Sequence, residues 1–125
     1  MPTNQLIIPP VTPFAEDGQP HLDWFSRYCA FLAERGAHAL FVNGTTGEFP
    51  LLSEAERREL TEAAIRGARN ARVFVHVGAA STAEAVRLTV HARTAGAHAV
   101  AAVTPYYFAY TQDQIVAYYR GVLDA

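Results

Sequence analysis

The sequence predicts an α/β fold built on a parallel sheet, and three features of its 125 residues carry that reading. Four short apolar runs recur along the chain. They are nearly continuous rather than alternating apolar and polar, as strands are when both faces of a sheet are covered. The stretches between them have helical spacing and begin with capping signals.

Taken in order, Leu6-Ile7-Ile8 reads as the first strand. An aromatic-rich helix is expected from about Leu22 to Arg35, stopped by Gly36. Ala39-Leu40-Phe41-Val42 is the second strand. Ser53 followed by Glu56 then forms a capping-box pattern, opening a helix whose apolar face is Leu60, Ala63, Ala64 and Gly67. Val73-Phe74-Val75 with Val77 is the third strand, and Ser81 with Glu84 opens the next helix. Val100 to Val103 is the fourth strand. Thr111 with Gln114 caps a last helix that carries Ile115, Tyr118, Tyr119 and Val122 on one face. Gly36-Ala37-His38-Ala39-Leu40 is echoed by Gly96-Ala97-His98-Ala99-Val100, each copy ending a helix and entering a strand. The echo is that of a repeating β/α array.

No Ser/Gly-rich or Pro-rich linker interrupts the array, so residues 1–125 are expected to form one unit without an internal boundary. Two architectures fit: an open doubly wound sheet, or half of a (β/α)8 barrel. Both place function at the carboxyl ends of the strands. Those ends read Thr12-Pro13-Phe14, Asn43-Gly44-Thr45-Thr46-Gly47-Glu48, Gly78, and Thr104-Pro105-Tyr106-Tyr107.

Composition removes several function classes. The 10 basic residues stand against 12 acidic ones for a net charge of -2, and all the basic residues are scattered arginines. Neither nucleic acid nor an acidic membrane surface is an expected partner. No apolar run approaches the roughly 20 residues that span a bilayer, and Met1-Pro2-Thr3-Asn4-Gln5 lacks the basic start of a secretory leader. The single Cys29 agrees with a reducing compartment, so a cytoplasmic location is expected. The five histidines lack the spacings of a metal site, and neither metal nor cofactor is expected. The sequence contains no lysine, so any chemistry needing a lysine amine lies outside these residues.

The loop Gly44-Thr45-Thr46-Gly47-Glu48 lies between a strand and a helix, where glycines permit a tight turn and free amides can converge. It has neither the Lys of a phosphate-binding P-loop nor the glycine spacing of a dinucleotide fingerprint. A carboxylate suits it better than a nucleotide; the plainer alternative is a turn whose threonines satisfy backbone groups. Tyr106 and Tyr107 end the fourth strand, where a phenol can relay a proton or a ring can pack in the core or at an interface. Phe108 and Tyr110 extend this patch and point to a subunit contact. His76 is expected to make an internal hydrogen bond, and the run Glu54, Glu56, Arg57, Arg58, Glu59 to be a solvated helix face.

These motifs together resemble the dihydrodipicolinate synthase and N-acetylneuraminate lyase family of class I pyruvate aldolases. Val11-Thr12-Pro13-Phe14 is similar to its first-strand motif and Phe41-Val42-Asn43-Gly44-Thr45-Thr46-Gly47-Glu48 to its carboxylate-binding loop. His76-Val77-Gly78 with Ser81-Thr82-Ala83-Glu84 resembles the third unit, and Val103-Thr104-Pro105-Tyr106-Tyr107 the fourth. The resemblance implies a (β/α)8 TIM barrel of which the chain supplies the N-terminal half, about four β/α units. It implies a homo-oligomeric lyase or synthase in which a lysine on the sixth strand forms a Schiff base with pyruvate or another 2-oxo acid. Thr45 and Thr46 would hold the substrate carboxylate, and Thr45 and Tyr107 would belong to a proton relay reaching a neighbouring subunit's site. The second strand's loop looks like the synthase and 2-keto-3-deoxygluconate aldolase branches, whereas His76-Val77-Gly78 looks more like the N-acetylneuraminate lyase branch. The competing reading, from a different class, is a non-catalytic anion-binding α/β module.

Overall fold

The computed structural model describes residues 4–125; Met1–Thr3, part of the stretch read above as lacking a basic leader, lie outside the described residues. Strands β1 (Ile7–Ile8), β2 (Ala39–Val42), β3 (Arg72–His76) and β4 (Ala99–Ala101) alternate with helices α1 (Leu22–Glu34), α2 (Glu54–Gly67), α3 (Thr82–Ala95) and α4 (Gln112–Leu123). All strand pairs are parallel, and the spatial order is β1-β2-β3-β4. A doubly wound sheet reverses its strand order at a switch point, so this sequential order selects the barrel-type arrangement.

The core agrees. Leu40 and Val42 of β2 and Val73 and Val75 of β3, with Val77, join Phe25, Cys29, Leu60, Ala64, Leu88, Tyr118 and Val122 in one buried cluster. All four helices therefore pack on the same face of the sheet. The opposite face carries Phe41 and Phe74, which pair in register and are only partly buried. The continuous apolar runs predicted cover on both faces. That expectation holds for the helix-facing side of β2 and β3 but not at the outer strands, where Ile7 and Val100 are exposed. An outer strand has a neighbour on one side only, and here it has helix on one face only.

The capping signals fold as the sequence predicts, with one difference. Ser53 and Thr111 form full capping boxes with Glu56 and Gln114, whereas Ser81 accepts from the Glu84 amide without a return bond. Helix α1 starts without a hydroxyl cap; His21 Nδ1 accepts from the Trp24 amide at 3.4 Å instead. The echoed glycines Gly36 and Gly96 both adopt φ 99°, the left-handed conformation that closes a helix before a strand. His38 and His98 sit at the strand entrances, His38 Nδ1 accepting from the Leu6 amide at 3.0 Å. At Gly67 a Cβ would lie 2.1 Å from the Ser26 carbonyl oxygen, so α1 and α2 approach closely only because that residue has no side chain.

Candidate functional site

The carboxyl ends of the strands form one rim. At its centre is the loop that follows β2, and its shape begins at Asn43. This residue is buried with φ 58°, a left-handed conformation that asparagine tolerates better than most residues. Its side-chain amide donates to the Arg57 carbonyl at 2.8 Å and to Thr61 Oγ1 at 3.1 Å, tying the loop entrance to α2. Thr12, early in the connection between β1 and α1, donates its hydroxyl to the Gly47 carbonyl at 2.6 Å. Gly44 and Gly47 are buried beneath the loop, while Thr45 and Thr46 are exposed at its crest. At Gly44 a Cβ would meet the Phe41 ring at 2.7 Å, so any side chain there would have to displace that ring.

Two amides close the turn internally: Glu48 donates to the Thr45 carbonyl and Phe49 to the Gly44 carbonyl. Among the described residues, the amides of Thr45, Thr46 and Gly47 have no backbone or side-chain acceptor. Three consecutive backbone donors thus lack a protein acceptor at one rim position, and the two threonines among them are exposed.

Tyr107 stands on the same rim at the exit of β4. It is 88% exposed with φ 85°, and its ring meets the Phe108 ring edge-on at 4.9 Å. Left-handed backbone costs a non-glycine residue about 1–2 kcal/mol. Tyr106 turns the other way, its ring edge-on to Phe49 at 6.0 Å. At least one phenol is expected at the rim; Tyr107 is the more exposed of the pair, with Tyr106 at 37%. Among the described residues no hydrogen bond joins Thr45 to Tyr107.

Beneath the rim lies a polar cluster that sequence reasoning missed. Arg57 was expected on a solvated helix face but is only 2% exposed. Its Nη2 donates to the His76 carbonyl at 2.8 Å, its guanidinium lies 5.2 Å from the Phe49 ring centroid, and Nη1 is 3.8 Å from Glu84. Burial pulls its pKa down, opposed chiefly by Glu84. The reason is spacing: Arg57 precedes Leu60, Ala64 and Thr61 on the inward face of α2, so helical phase could have identified it despite its charge. Glu54, by contrast, is bound by Arg58 and Arg87 near the surface, and the Arg87 hydrogen bond lowers its pKa most.

His76 makes the internal hydrogen bond expected of it. Its Nε2 accepts from the Val103 amide at 3.1 Å and its ring lies 4.4 Å from that of Phe49. Burial, reinforced by the Arg57 charge, depresses its pKa from 6.5 to about 4. Among the described residues no group of three or more His, Cys, Asp or Glu is placed to hold a metal ion. No helix of the described residues is long and apolar enough to cross a membrane.

Comparison with known proteins sets this rim in context. A family model described as the dihydrodipicolinate synthetase family matches residues 2–125. A 4-hydroxy-tetrahydrodipicolinate synthase of Methylobacterium radiotolerans is 44% identical over 92% of the chain, which covers 38% of that protein. The crystal structure of KD(P)GA from T. tenax superposes with a TM-score of 0.91 at 36% identity, over 97% of this chain and 42% of that one. An N-acetylneuraminate lyase from Proteus mirabilis gives a TM-score of 0.91 at 30% identity, over 98% of this chain and 42% of its own. The chain spans about two-fifths of the length of the curated relatives it matches.

Proposed function

On the premise that the chain belongs to the dihydrodipicolinate synthetase family, we propose that it forms the substrate-gripping half of a Schiff-base-forming carbon–carbon lyase or synthase. The substrate is pyruvate or another 2-oxo acid. The observation that carries this reading is the loop after β2, where the amides of Thr45, Thr46 and Gly47 lack a protein acceptor and two exposed threonines stand at the carboxyl end of a parallel strand. In this reading residues 1–125 are the N-terminal half of a single barrel domain, and the amine nucleophile is a lysine outside them.

The mechanism divides along that line. A lysine amine adds to the ketone carbon, and the carbinolamine loses water to give an iminium. The iminium accepts the electron pair left when a proton departs from the adjacent carbon, and the resulting enamine attacks an aldehyde. Cleavage is the reverse. Thr45 and Thr46 hold the carboxylate so that the ketone meets the amine, and Tyr107 with Thr45 moves protons to and from the carbinolamine oxygen. The exposed Tyr107 and Phe108 rings fit a homo-oligomer in which the phenol serves a neighbouring subunit. A cytoplasmic setting belongs to the same proposal and is consistent with the lone, buried Cys29 thiol.

A second reading concerns the aldehyde partner. Specificity like that of 2-keto-3-deoxygluconate aldolase is favoured by the similarity to the T. tenax enzyme, while His76-Val77-Gly78 favours the N-acetylneuraminate lyase branch. Kinetics of Thr45→Val and Thr46→Val in the natural protein test the grip. A hydroxyl bonded to a charged group is worth about 1.5–3 kcal/mol, so Thr46→Val raises KM for the 2-oxo acid roughly tenfold or more. Thr45→Val lowers kcat as well. A KM unchanged in both variants would contradict the proposal.

A further inference from the structure

Tyr107 holds a backbone conformation that persists only if its surroundings enforce it. The segment that leads to Tyr107 is held by named side chains. Beyond Ala101 the chain leaves the sheet, and two side chains grasp it before the tyrosine. Tyr119 of α4 donates its hydroxyl to the Ala102 carbonyl at 3.1 Å, and His76 of β3 accepts the Val103 amide at 3.1 Å.

We propose that His76 is a positioning residue for Tyr107: by accepting the Val103 amide through Nε2, it fixes the β4 exit from which the rim phenol projects. The inference rests on the reading of Tyr107 as a relay group. Three observations support it. A backbone amide can only donate, so Nε2 is the unprotonated nitrogen and the ring proton sits on Nδ1. That tautomer also directs the ring N–H toward the Asn43 backbone, whose hydrogen bond is the one influence that raises the His76 pKa. Gly78 is the second observation: a Cβ there would lie 2.7 Å from His76 Nε2 and 2.8 Å from the Val103 nitrogen, directly upon this bond. The third is that the residue is braced at both backbone and ring. Arg57 binds the His76 carbonyl, Phe49 packs on the ring, and Phe49 in turn meets Tyr106, the residue beside Tyr107.

A ring serving only as packing would be replaced by phenylalanine without functional loss, and this separates the two roles. In the natural protein, His76→Phe keeps the ring volume and removes the acceptor. It should lower kcat about tenfold or more, as displaced catalytic groups do, and leave KM for pyruvate within about twofold. Hydrogen exchange over residues 102–107 should quicken in the same variant. His76→Gln, whose amide oxygen can reach the place of Nε2, should recover most of both. If His76→Phe matches the wild type in kcat and exchange, His76 is packing and the proposal fails. A measurement without any variant guards against misfolding: 15N NMR of the wild type should show His76 with Nδ1 protonated and Nε2 accepting, and the opposite tautomer would overturn the assignment. If the wild type forms no borohydride-reducible adduct with pyruvate, the relay reading fails instead. The tautomer and exchange results then decide whether His76 holds the β4 exit.

Discussion

His76 illustrates how a residue's environment overrides its ordinary chemistry. Free histidine titrates near neutrality; here burial and the Arg57 guanidinium hold the ring neutral down to about pH 4. Above pH 6.5 the ring is neutral in both folded and unfolded states and adds no pH dependence. As pH falls below 6.5 the unfolded chain takes up a proton that the folded chain refuses, so stability is lost progressively until about pH 4. The linkage amounts to about 2 kcal/mol by pH 5. Denaturant melts at pH 7.5 and pH 5 should therefore show a steeper acid loss for the wild type than for His76→Gln, and parallel losses would contradict a buried neutral ring. The internal bond was legible in the sequence because a histidine within an apolar strand has few alternatives. Burial of Arg57 was not, because it stands in a run of charged residues and only its helical phase with Leu60, Thr61 and Ala64 marks it as inward. A charged residue between Ser53 and Leu60 is read by its neighbours' pattern only if the pattern is trusted over the charge.

At the level of elements, strands and helices were readable because each carries its own local signal: a continuous apolar run, a hydroxyl three residues before an acid or amide, or a glycine at φ 99°. Helix α1 was legible in extent, since its observed Leu22–Glu34 falls one residue short of the expected Arg35, but its His21 cap was not. What no local signal encodes is which elements meet. Gly67 belongs to the predicted apolar face of α2, yet its role comes from Ser26 on α1, far away in sequence. Gly67→Ala should force the two helices apart. Overpacking of this kind typically costs about 1–3 kcal/mol, so the variant should melt several degrees lower. An unchanged melting temperature would mean that the crossing adjusts freely.

For the whole molecule, sequence left two architectures open because strand order is a property of assembly. The sequential order β1-β2-β3-β4, with the buried core on one face, selects the barrel type. The rim follows from that choice: a parallel sheet wound in one direction brings the Asn43–Glu48 loop and the Tyr106–Tyr107 exit to the same end, though they are distant in sequence. Thr45, Thr46 and Tyr107 could be named from motifs, whereas the Thr12, Asn43 and His76 bonds that shape their surroundings needed coordinates. The central proposal is a division of labour in which residues 1–125 grip and relay while a lysine elsewhere reacts. Borohydride reduction of the natural protein in the presence of pyruvate, followed by peptide mapping, tests it most directly. The proposal predicts one pyruvyl adduct on a lysine outside residues 1–125 and no side-chain adduct within them; a protein that traps no pyruvate, or carries the adduct on a peptide of residues 1–125, would contradict it.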